Sequence, residues 1–251
     1  MSKKRIVLKF GTGILTQLES NSIDRAQIQR LSAEVAAVVQ GGSECILVSS
    51  GAVGAGLMTL GLKERPSDLA GVQACAAVGQ SKLMQMYESA FVTHGLHVAQ
   101  LLLTHDDLDS LIRRKNARNT IQRLLEHRVV PIINENDSVA VEELRFGDND
   151  RLSAEVARLV KADLLILLTS ADGLLRGNEV VPEVHNVDAV LEYVRPEKGK
   201  LSVGGMRSKL LAVKEAVDAG VETVIASGRA PGVIREILEG KKVGTRFFPK
   251  A

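Results

Sequence analysis

Two polar runs in the sequence carry side chains that could hold an amino acid. They are Asn134-Glu135-Asn136-Asp137 and Gly147-Asp148-Asn149-Asp150, and each follows an apolar stretch. In an open α/β sheet such segments fall outside the carboxyl ends of the strands, where substrates bind. Side-chain amides donate hydrogen bonds to carboxylates, and Asp and Glu accept them from ammonium groups. The two runs therefore predict a pocket for the charged ends of an amino acid.

Two lysines beside glycine-rich loops are candidates for contacting phosphate. Lys9 comes immediately before the loop that contains Gly11 and Gly13, and Lys209 follows Gly204-Gly205 in the first turn of a predicted helix. Glycines let backbone N–H groups approach an anion closely, and the N-terminus of a helix favours negative charge. Taken singly, either lysine could equally be a surface residue beside an ordinary turn.

Two further loops extend this pattern. Ser50-Gly51-Ala52-Val53-Gly54-Ala55-Gly56 follows a predicted strand, and Thr169-Ser170-Ala171-Asp172-Gly173-Leu174 follows the most apolar one. The first suits an anion at a helix N-terminus, although its glycines could instead serve helix packing, and the second suits a nucleotide edge. The spacing matches neither the G-x-x-x-x-G-K-[ST] loop nor the G-x-G-x-x-G fingerprint. Together with two lysines and a carboxylate cluster, the loops indicate phosphoryl transfer, in which positioning and charge neutralisation supply most of the catalysis.

The composition excludes several classes of protein. A chain of 251 residues with 45% hydrophobic content can bury a core. A net charge of +2, with 3% aromatic residues and no Trp, offers little to nucleic acid. The longest strongly apolar run, 164–168, is far below the roughly 18 residues of a membrane span, and no signal-peptide core is present. We expect a soluble, cytoplasmic protein that binds neither nucleic acid nor membrane.

The cysteines and histidines do not indicate a metal site. Cys45 and Cys75 lie among apolar neighbours, which is typical of small buried side chains, and two cysteines make no disulfide framework in a chain of this size. The five histidines show no ligand spacing for zinc or iron. No protein-bound structural metal is expected.

Short apolar runs alternate with longer amphipathic segments, which is the pattern of an α/β protein with a parallel sheet covered on both faces. Strands are predicted at 6–10, 44–49, 97–103, 129–133, 164–169 and 222–226, helices at 24–40, 69–94, 113–127, 150–160, 206–219 and 232–238, and small hairpins at 140–146 and 174–181. Asp24 and Asp150 are predicted N-caps. No linker interrupts the chain, so we expect one domain, with a shift near residue 160 that divides it into two lobes.

Several motifs, taken in order, resemble the amino acid kinase family, and within it the glutamate 5-kinases. They cover nearly the whole chain and are Lys9-Phe10-Gly11-Thr12, Ser50-Gly51-Ala52, Ala77-Val78-Gly79-Gln80, Asn116-Ala117-Arg118, Ile133-Asn134-Glu135-Asn136-Asp137, Phe146-Gly147-Asp148-Asn149-Asp150 and Gly204-Gly205-Met206-x-x-Lys209. The resemblance implies a three-layer αβα sandwich on a mainly parallel sheet, with a glutamate lobe over about 1–160 and an ATP lobe over about 161–251.

The resemblance also implies a reaction and a role for each site residue. ATP, carried with Mg²⁺, would phosphorylate the side-chain carboxylate of L-glutamate to L-glutamyl 5-phosphate, the first step of proline biosynthesis. Lys9 and Lys209 would stabilise the transferring phosphoryl group, with Asp150 orienting them. The remaining assignments are Ser50, Gly51, Asn134, Asp137 and Asn149 for glutamate, and Lys9, Thr169, Ser170, Val203, Gly204, Gly205, Met206, Arg207, Ser208 and Lys209 for ATP.

The chain departs from the family pattern in three places. Val203 stands where a small hydroxylated residue is common, and Gly13 stands where a serine is frequent, so neither position can supply that side-chain hydrogen bond. The chain ends at Ala251, so we expect a short form without the C-terminal PUA domain that many members carry. The resemblance further implies a homodimer or homotetramer, and pathway logic favours handover of the product to glutamyl phosphate reductase.

Two alternatives remain open from the sequence. A sibling kinase on the same fold could act on another carboxylate or on UMP, although the segment from Asn134 to Asp137 argues against it. A non-catalytic amino-acid sensor could use the same fold, although such a protein would not need phosphoryl-stabilising lysines.

Overall fold

The structure, which is a computed structural model, describes residues 3–17, 23–139, 149–192, 194 and 205–249. A mainly parallel sheet lies between helices on both of its faces, which confirms the predicted α/β three-layer sandwich. The strands are β1 (Arg5–Phe10), β2 (Glu44–Ser49), β3 (Val98–Leu103), β4 (Val130–Glu135), β5 (Leu164–Thr169), β6 (Leu175–Arg176), β7 (Glu179–Val180), β8 (Glu183–Val184), β9 (Glu222–Ser227) and β10 (Thr245–Phe247).

The helices range from single turns to long segments. They are α1 (Thr12–Leu15), α2 (Arg25–Gln40), α3 (Ala52–Leu60), α4 (Leu69–Val92), α5 (His105–Asp109), α6 (Leu111–Glu126), α7 (Asn149–Val160), α8 (Val187–Leu191), α9 (Met206–Asp218) and α10 (Val233–Leu238). Across the described ranges, none of them is long and apolar enough to cross a membrane.

The strand order places β1 in the middle of the sheet. Within the described residues the order is β3-β4-β2-β1-β5-β9-β10-β8, and the strands are parallel from β3 to β9, while β10 runs antiparallel to β9. The chain leaves β1 toward β2 on one side and returns to β5 on the other. Such a reversal opens a crevice at the carboxyl ends of the two central strands, where ligands of open α/β sheets bind.

Alternating residues of β1 face the two helical layers. Ile6, Leu8 and Phe10 belong to the core cluster formed with α1, α2, α3, α4 and α10, whereas Val7 belongs to the cluster formed with α5 to α9. Because side chains alternate along a strand, Lys9 lies on the same face as Val7. A lysine is thereby placed inside the layer that contains α7 and α9, at the end of the central strand.

Several elements differ from the sequence predictions. The helix α3 was not among the predicted helices, although its first residues were expected to lie at a helix N-terminus. Gly54 and Gly56 weaken its helix propensity, and packing against α4 overrides that weakness. Asp150 was predicted as an N-cap, but it lies inside α7 and its carboxylate contacts lysines instead. The predicted hairpin at 140–146 falls outside the described residues, whereas the one at 174–181 is confirmed by the pairing of β6 with β7. Asp24 caps α2 as predicted.

Both cysteines are buried and free, as predicted from their apolar neighbours. Burial raises the pKa of the Cys45 thiol to about 12, which keeps it protonated near neutrality. A protonated, inaccessible thiol is a packing group rather than a nucleophile.

Candidate active site

Three charged side chains from distant parts of the sequence meet above the central strands. Lys9 Nζ lies 2.6 Å from Asp150 Oδ1, and Lys209 Nζ lies 3.0 Å from Asp150 Oδ2. The three side chains are only 6%, 4% and 12% exposed for Lys9, Asp150 and Lys209, respectively. One carboxylate on α7 therefore holds a lysine from β1 and a lysine from α9 side by side.

The protonation of Asp150 follows from these contacts. Burial alone raises the pKa of its carboxyl group, but the neighbouring ammonium groups of Lys9 and Lys209 outweigh burial and hold the pKa below its ordinary value. The carboxylate is thus ionised near neutrality. Its single negative charge faces two ammonium groups, so these three side chains together carry a net positive charge, which suits an anionic ligand.

The start of α9 adds backbone donors near the same lysine. Gly205 is the N-cap, with extended backbone and no side-chain cap, and Ser208 Oγ donates to Gly205 O at 3.1 Å. The first N–H groups of a helix lack partners within it, so those of Met206 and Arg207 can serve a phosphate together with the helix dipole. The predicted ATP residues Val203 and Gly204 lie outside the described residues.

A second group of predicted residues forms a hydrogen-bonded network beside the lysines. Asn149 Nδ2 lies 3.0 Å from Ser50 Oγ, 3.0 Å from Asn134 Oδ1 and 3.2 Å from Ser49 O. Asn149 Oδ1 is buried and has no hydrogen-bond partner within the described ranges. Since Asn149 and Asp150 are adjacent in the first turn of α7, one helix start positions both the amide network and the lysine pair.

The turn after β2 depends on Gly51. Its φ of 106° is a left-handed conformation that side chains disfavour, and it forms the N-cap of α3. Ser50, just before it, donates its backbone N–H to Phe10 O at 3.1 Å, so this turn is fastened to the end of β1. The loop is held where the N-terminus of α3 and the Ser50 hydroxyl face the same crevice as Asn149.

A cavity of about 230 Å³ lies near the end of β4 and is lined by α4, β3 and the residues after β4. Asp137 lines it, together with Glu135 and Gln80. Gln80 Oε1 accepts a hydrogen bond from Asn134 Nδ2 at 2.8 Å, which connects the cavity to the network around Asn149. The structure thus places Asp137 in a separate part of the crevice from the lysine pair, with Asn134 between them.

Thr169 and Ser170 end β5 on the other side of β1. Thr169 O accepts the backbone N–H of Gly228 at 2.9 Å, and a Cβ on Gly13 would lie 3.5 Å from Ser170 Oγ. These residues therefore lie where the loop after β1 meets the ends of β5 and β9. Their assigned contact with ATP stays a prediction.

Gln80 belongs to the sequence motif Ala77-Val78-Gly79-Gln80, but the sequence alone did not indicate a role for it. It lies on the buried face of α4 with Ala76, Gly79, Leu83 and Tyr87. A polar side chain on that otherwise small or apolar stripe was the signal that could have identified it, because buried polar groups need partners.

The chain matches the model of the amino acid kinase family over residues 4–227. It is also similar to the carbamate kinase of Giardia, with a TM-score of 0.68 and 18% identity over 100% of both chains, a likeness that concerns the fold. The chain belongs to the amino acid kinase family.

Curated relatives of the chain within that family include glutamate 5-kinases. The chain is 46% identical to a glutamate 5-kinase of Thermus thermophilus, covering 100% of this chain and 69% of the relative. It is 44% identical to that of a Geobacter species, covering 98% of this chain and 68% of the relative. These matches confirm the resemblance found in the sequence motifs.

Proposed function

We propose that the chain transfers the γ-phosphoryl group of ATP to the side-chain carboxylate of L-glutamate, giving L-glutamyl 5-phosphate and ADP and opening proline biosynthesis. The observation that carries this proposal is the first turn of α7. There Asn149 belongs to an amide network suited to an amino acid, and Asp150 holds two lysines suited to a phosphoryl group. The glutamate 5-kinase relatives support the same reaction.

The two lysines neutralise the charge that moves during transfer. Phosphoryl transfer is accelerated mainly by positioning and by groups that stabilise the charge on the transferring oxygens. Asp150 keeps Lys9 and Lys209 on either side of its carboxylate, so two ammonium groups remain close together despite their repulsion. The negative charge of the Asp150 carboxylate offsets this repulsion. When a phosphoryl group binds between the two lysines, its own negative charge offsets part of the repulsion as well.

The amide network suits the amino-acid substrate. The Ser50 hydroxyl accepts from Asn149 Nδ2, so Asn149 orients it to donate its O–H to the side-chain carboxylate of glutamate close to the lysines. Asp137 can accept from the α-ammonium group in the adjoining cavity. Gly51 and Asn134 then act by shaping the loop and by holding Asn149. These assignments rest on the geometry and on the family resemblance.

The reaction needs no general base. A side-chain carboxylate has a reference pKa of about 4.3, so it is already ionised near neutrality. One of its oxygens forms a bond to the γ-phosphorus while the bond from that phosphorus to the bridging oxygen breaks, and ADP leaves with the electron pair. The task of the protein is to bring two anions together, which explains why lysines and backbone donors converge on this point.

The nucleotide is assigned to the side of β1 that carries β5 and β9. The groups available there are the backbone N–H groups of Met206 and Arg207 at the N-terminus of α9, and the turn at Thr169 and Ser170. Because the Asp150 carboxylate is already engaged by lysines, Mg²⁺ would enter with the nucleotide rather than be held by this side chain. It would supply further charge neutralisation to the phosphates.

The two alternatives are less well supported. A sibling kinase for another carboxylate or for UMP is disfavoured because the relatives with 43% to 46% identity over nearly the whole chain are glutamate 5-kinases. A non-catalytic sensor does not require the lysine pair around Asp150. Homo-oligomerisation, a cytoplasmic location, the division into a glutamate lobe and an ATP lobe, and handover to glutamyl phosphate reductase stay predictions.

The test is an assay of purified protein with ATP, Mg²⁺ and L-glutamate, with hydroxylamine to trap the acyl phosphate as a hydroxamate. We expect ADP and hydroxamate to form in equal amounts and only when glutamate is present. Parallel reactions with L-aspartate, N-acetylglutamate, carbamate and UMP provide the controls. Turnover with one of these and none with glutamate would overturn the proposal.

A further inference from the structure

Gln80 occupies a buried position that connects two parts of the crevice. Its residue exposure is 8%, and its Oε1 accepts from Asn134 Nδ2 at 2.8 Å. Asn134 in turn accepts from Asn149 Nδ2 at 3.0 Å. Gln80 is therefore two hydrogen bonds away from the residue that lies beside Asp150, and it fixes the orientation of the amide between them.

The nitrogen end of the Gln80 amide has no partner in the part of the chain that the structure describes. Its Nε2 is buried without a hydrogen bond to any part of the chain that the structure describes, and Gln80 lines the cavity that also contains Asp137. A buried donor without a partner is costly, and such groups in native structures call for an explanation. A ligand in this cavity would provide one.

The position of Gln80 is fixed by a close backbone contact between α4 and α3. The preceding residue, Gly79, lies so close to α3 that a Cβ there would be 1.8 Å from Ala52 O and 2.3 Å from Gly56 N. The helix α4 therefore cannot shift away without losing its contact with α3. The close contact between α3 and α4 therefore fixes the backbone that carries Gln80, and with it the position of the Gln80 donor at the cavity.

The charges in the cavity indicate which end of an amino acid it receives. Asp137 and Glu135 are acidic and suit the α-ammonium group, but they repel the α-carboxylate attached to the same carbon. A neutral N–H donor beside them can bind that carboxylate without removing the preference for the ammonium group. The side-chain carboxylate must lie at the other end, next to Asn149 and the lysines.

We propose that Gln80 donates from Nε2 to the α-carboxylate of the bound amino acid and thereby selects substrates with a free α-carboxylate. This inference rests on the proposed kinase function. Gln80 has two roles in it: its Oε1 positions Asn134, and its Nε2 recognises the substrate.

The test separates the two roles by using Gln80→Glu, which keeps an acceptor for Asn134 and replaces the donor by a carboxylate oxygen. We expect KM for L-glutamate to rise by roughly tenfold or more, because a hydrogen bond to a charged group is lost and a repulsion is added. We expect kcat and KM for ATP to stay within about twofold of the parent values. A KM for glutamate within about twofold of the parent would overturn the inference.

A second measurement reports on the α-carboxylate itself. The α-amide of L-glutamate carries N–H groups at that position, which the carboxylate of the Gln80→Glu variant can accept. We expect the preference for glutamate over its α-amide, measured as a ratio of kcat/KM values or of competitive inhibition constants, to fall by roughly tenfold or more. A purely structural role for Gln80 would leave this ratio unchanged, and that result would also overturn the inference.

Gln85→Glu is the matched control, because Gln85 is exposed on the same helix, α4, and does not line the cavity. It should leave the preference ratio within about twofold of the parent. If Gln80→Glu does not fold, Gln80→Met keeps the volume and removes the donor, and it should also raise KM for glutamate. Absence of glutamate-dependent turnover in the parent protein would refute the kinase proposal, whereas an active parent with an unaffected variant would refute only the role of Gln80.

Discussion

Lys209 Nζ lies 3.0 Å from Asp150 Oδ2, and this contact joins the first turn of α9 to the first turn of α7. The second oxygen of the same carboxylate holds Lys9 from β1. Because all three side chains are largely shielded from water, their charges interact more strongly than surface charges do. The cluster is both a part of the fold and the proposed centre of phosphoryl transfer, so changes to it should alter stability and turnover together.

Replacing Asp150 by Asn should lower both the stability of the fold and the rate of turnover. The amide keeps the shape of the carboxylate but removes its negative charge from beside Lys9 and Lys209, and removal of one partner of a buried ion pair costs about 3–5 kcal/mol. We expect the free energy of unfolding to fall by about that amount and kcat to fall as well. Chemical denaturation at neutral pH and the hydroxamate assay measure the two effects.

Asp188→Asn serves as the control, since Asp188 pairs with Lys214 at 2.8 Å on the surface and its side chain is 55% exposed. Exposed pairs contribute at most about 1 kcal/mol. Equal losses of stability in the two variants would contradict the prediction that the buried ion pairs of Asp150 stabilise the fold more than an exposed pair does.

Substitution of Lys209 by Ala should separate binding from chemistry. The ammonium group is assigned to the transferring phosphoryl group, so we expect kcat to fall by about 10²–10³-fold while glutamate binding is largely retained. Lys214→Ala, on the same helix but paired with Asp188 and Asp218, should leave kcat unchanged. Steady-state kinetics and isothermal calorimetry with glutamate provide the measurements. Full turnover in Lys209→Ala would remove this residue from its assigned role.

The buried pair of His105 and Glu155 should make stability depend on pH. His105 Nδ1 lies 2.6 Å from Glu155 Oε2, and this hydrogen bond raises the pKa of His105 above the ordinary 6.5, against the opposing effect of burial. The charges of Glu155 and Glu135 raise the pKa further, while that of Arg151 lowers it. The stabilisation is therefore complete below pH 6.5 and is lost as the pH rises through the pKa of the folded state.

The corresponding experiment compares urea unfolding of the parent and of His105→Gln at about pH 6 and about pH 9. The difference in unfolding free energy between the two proteins should be larger at the lower pH. His97→Gln is the matched control, because His97 contacts Glu88 at 3.1 Å while 69% exposed. A difference for His105→Gln that is the same at both pH values would contradict the prediction.

Adding a methyl group at Gly79 should disrupt the contact between α3 and α4. The new Cβ would lie 1.8 Å from Ala52 O, so the helices must separate, and overpacking of this kind costs typically about 1–3 kcal/mol and in severe cases more. Thermal and urea unfolding of Gly79→Ala measure the loss. In Gly13→Ala the nearest neighbour of the new Cβ, Ser170 Oγ, lies at an ordinary 3.5 Å, so stability should be unchanged or slightly higher. Similar losses in the two variants would argue against the steric explanation.

Much of the sheet could be predicted from the sequence because strands covered on both faces read as continuous apolar runs. The strand predicted at 97–103 is Val98–Leu103, and the one at 222–226 is Glu222–Ser227. The strand β10, which lies between β9 and β8, was not predicted because it is only three residues long and is defined by its pairing with these two neighbours. Pairing of that kind depends on tertiary contacts rather than on local pattern.

The site was predicted unevenly for similar reasons. Polar residues after strands, such as Ser50 and Asn134, could be found because the carboxyl ends of parallel strands share one edge of the sheet. The ion pairs of Asp150 could not be derived from local signals, since they join segments that are distant in sequence. Gln80 was missed although it lies on a stripe of small and apolar residues in α4, because its partner Asn134 is distant in sequence and only the fold brings the two together.

The parallel ladder between β1 and β5 has a mechanical consequence for catalysis. It pairs Ile6 with Leu164 and continues to Phe10 and Leu168, and Gly11 N then donates to Leu168 O at 3.1 Å. A hinge between the two sides of the crevice would have to shear this ladder and break several backbone hydrogen bonds at once. The sheet is therefore a rigid support for the site. The final change in distance between the carboxylate and the phosphate must come from movements of side chains and of the N-terminal turns of helices.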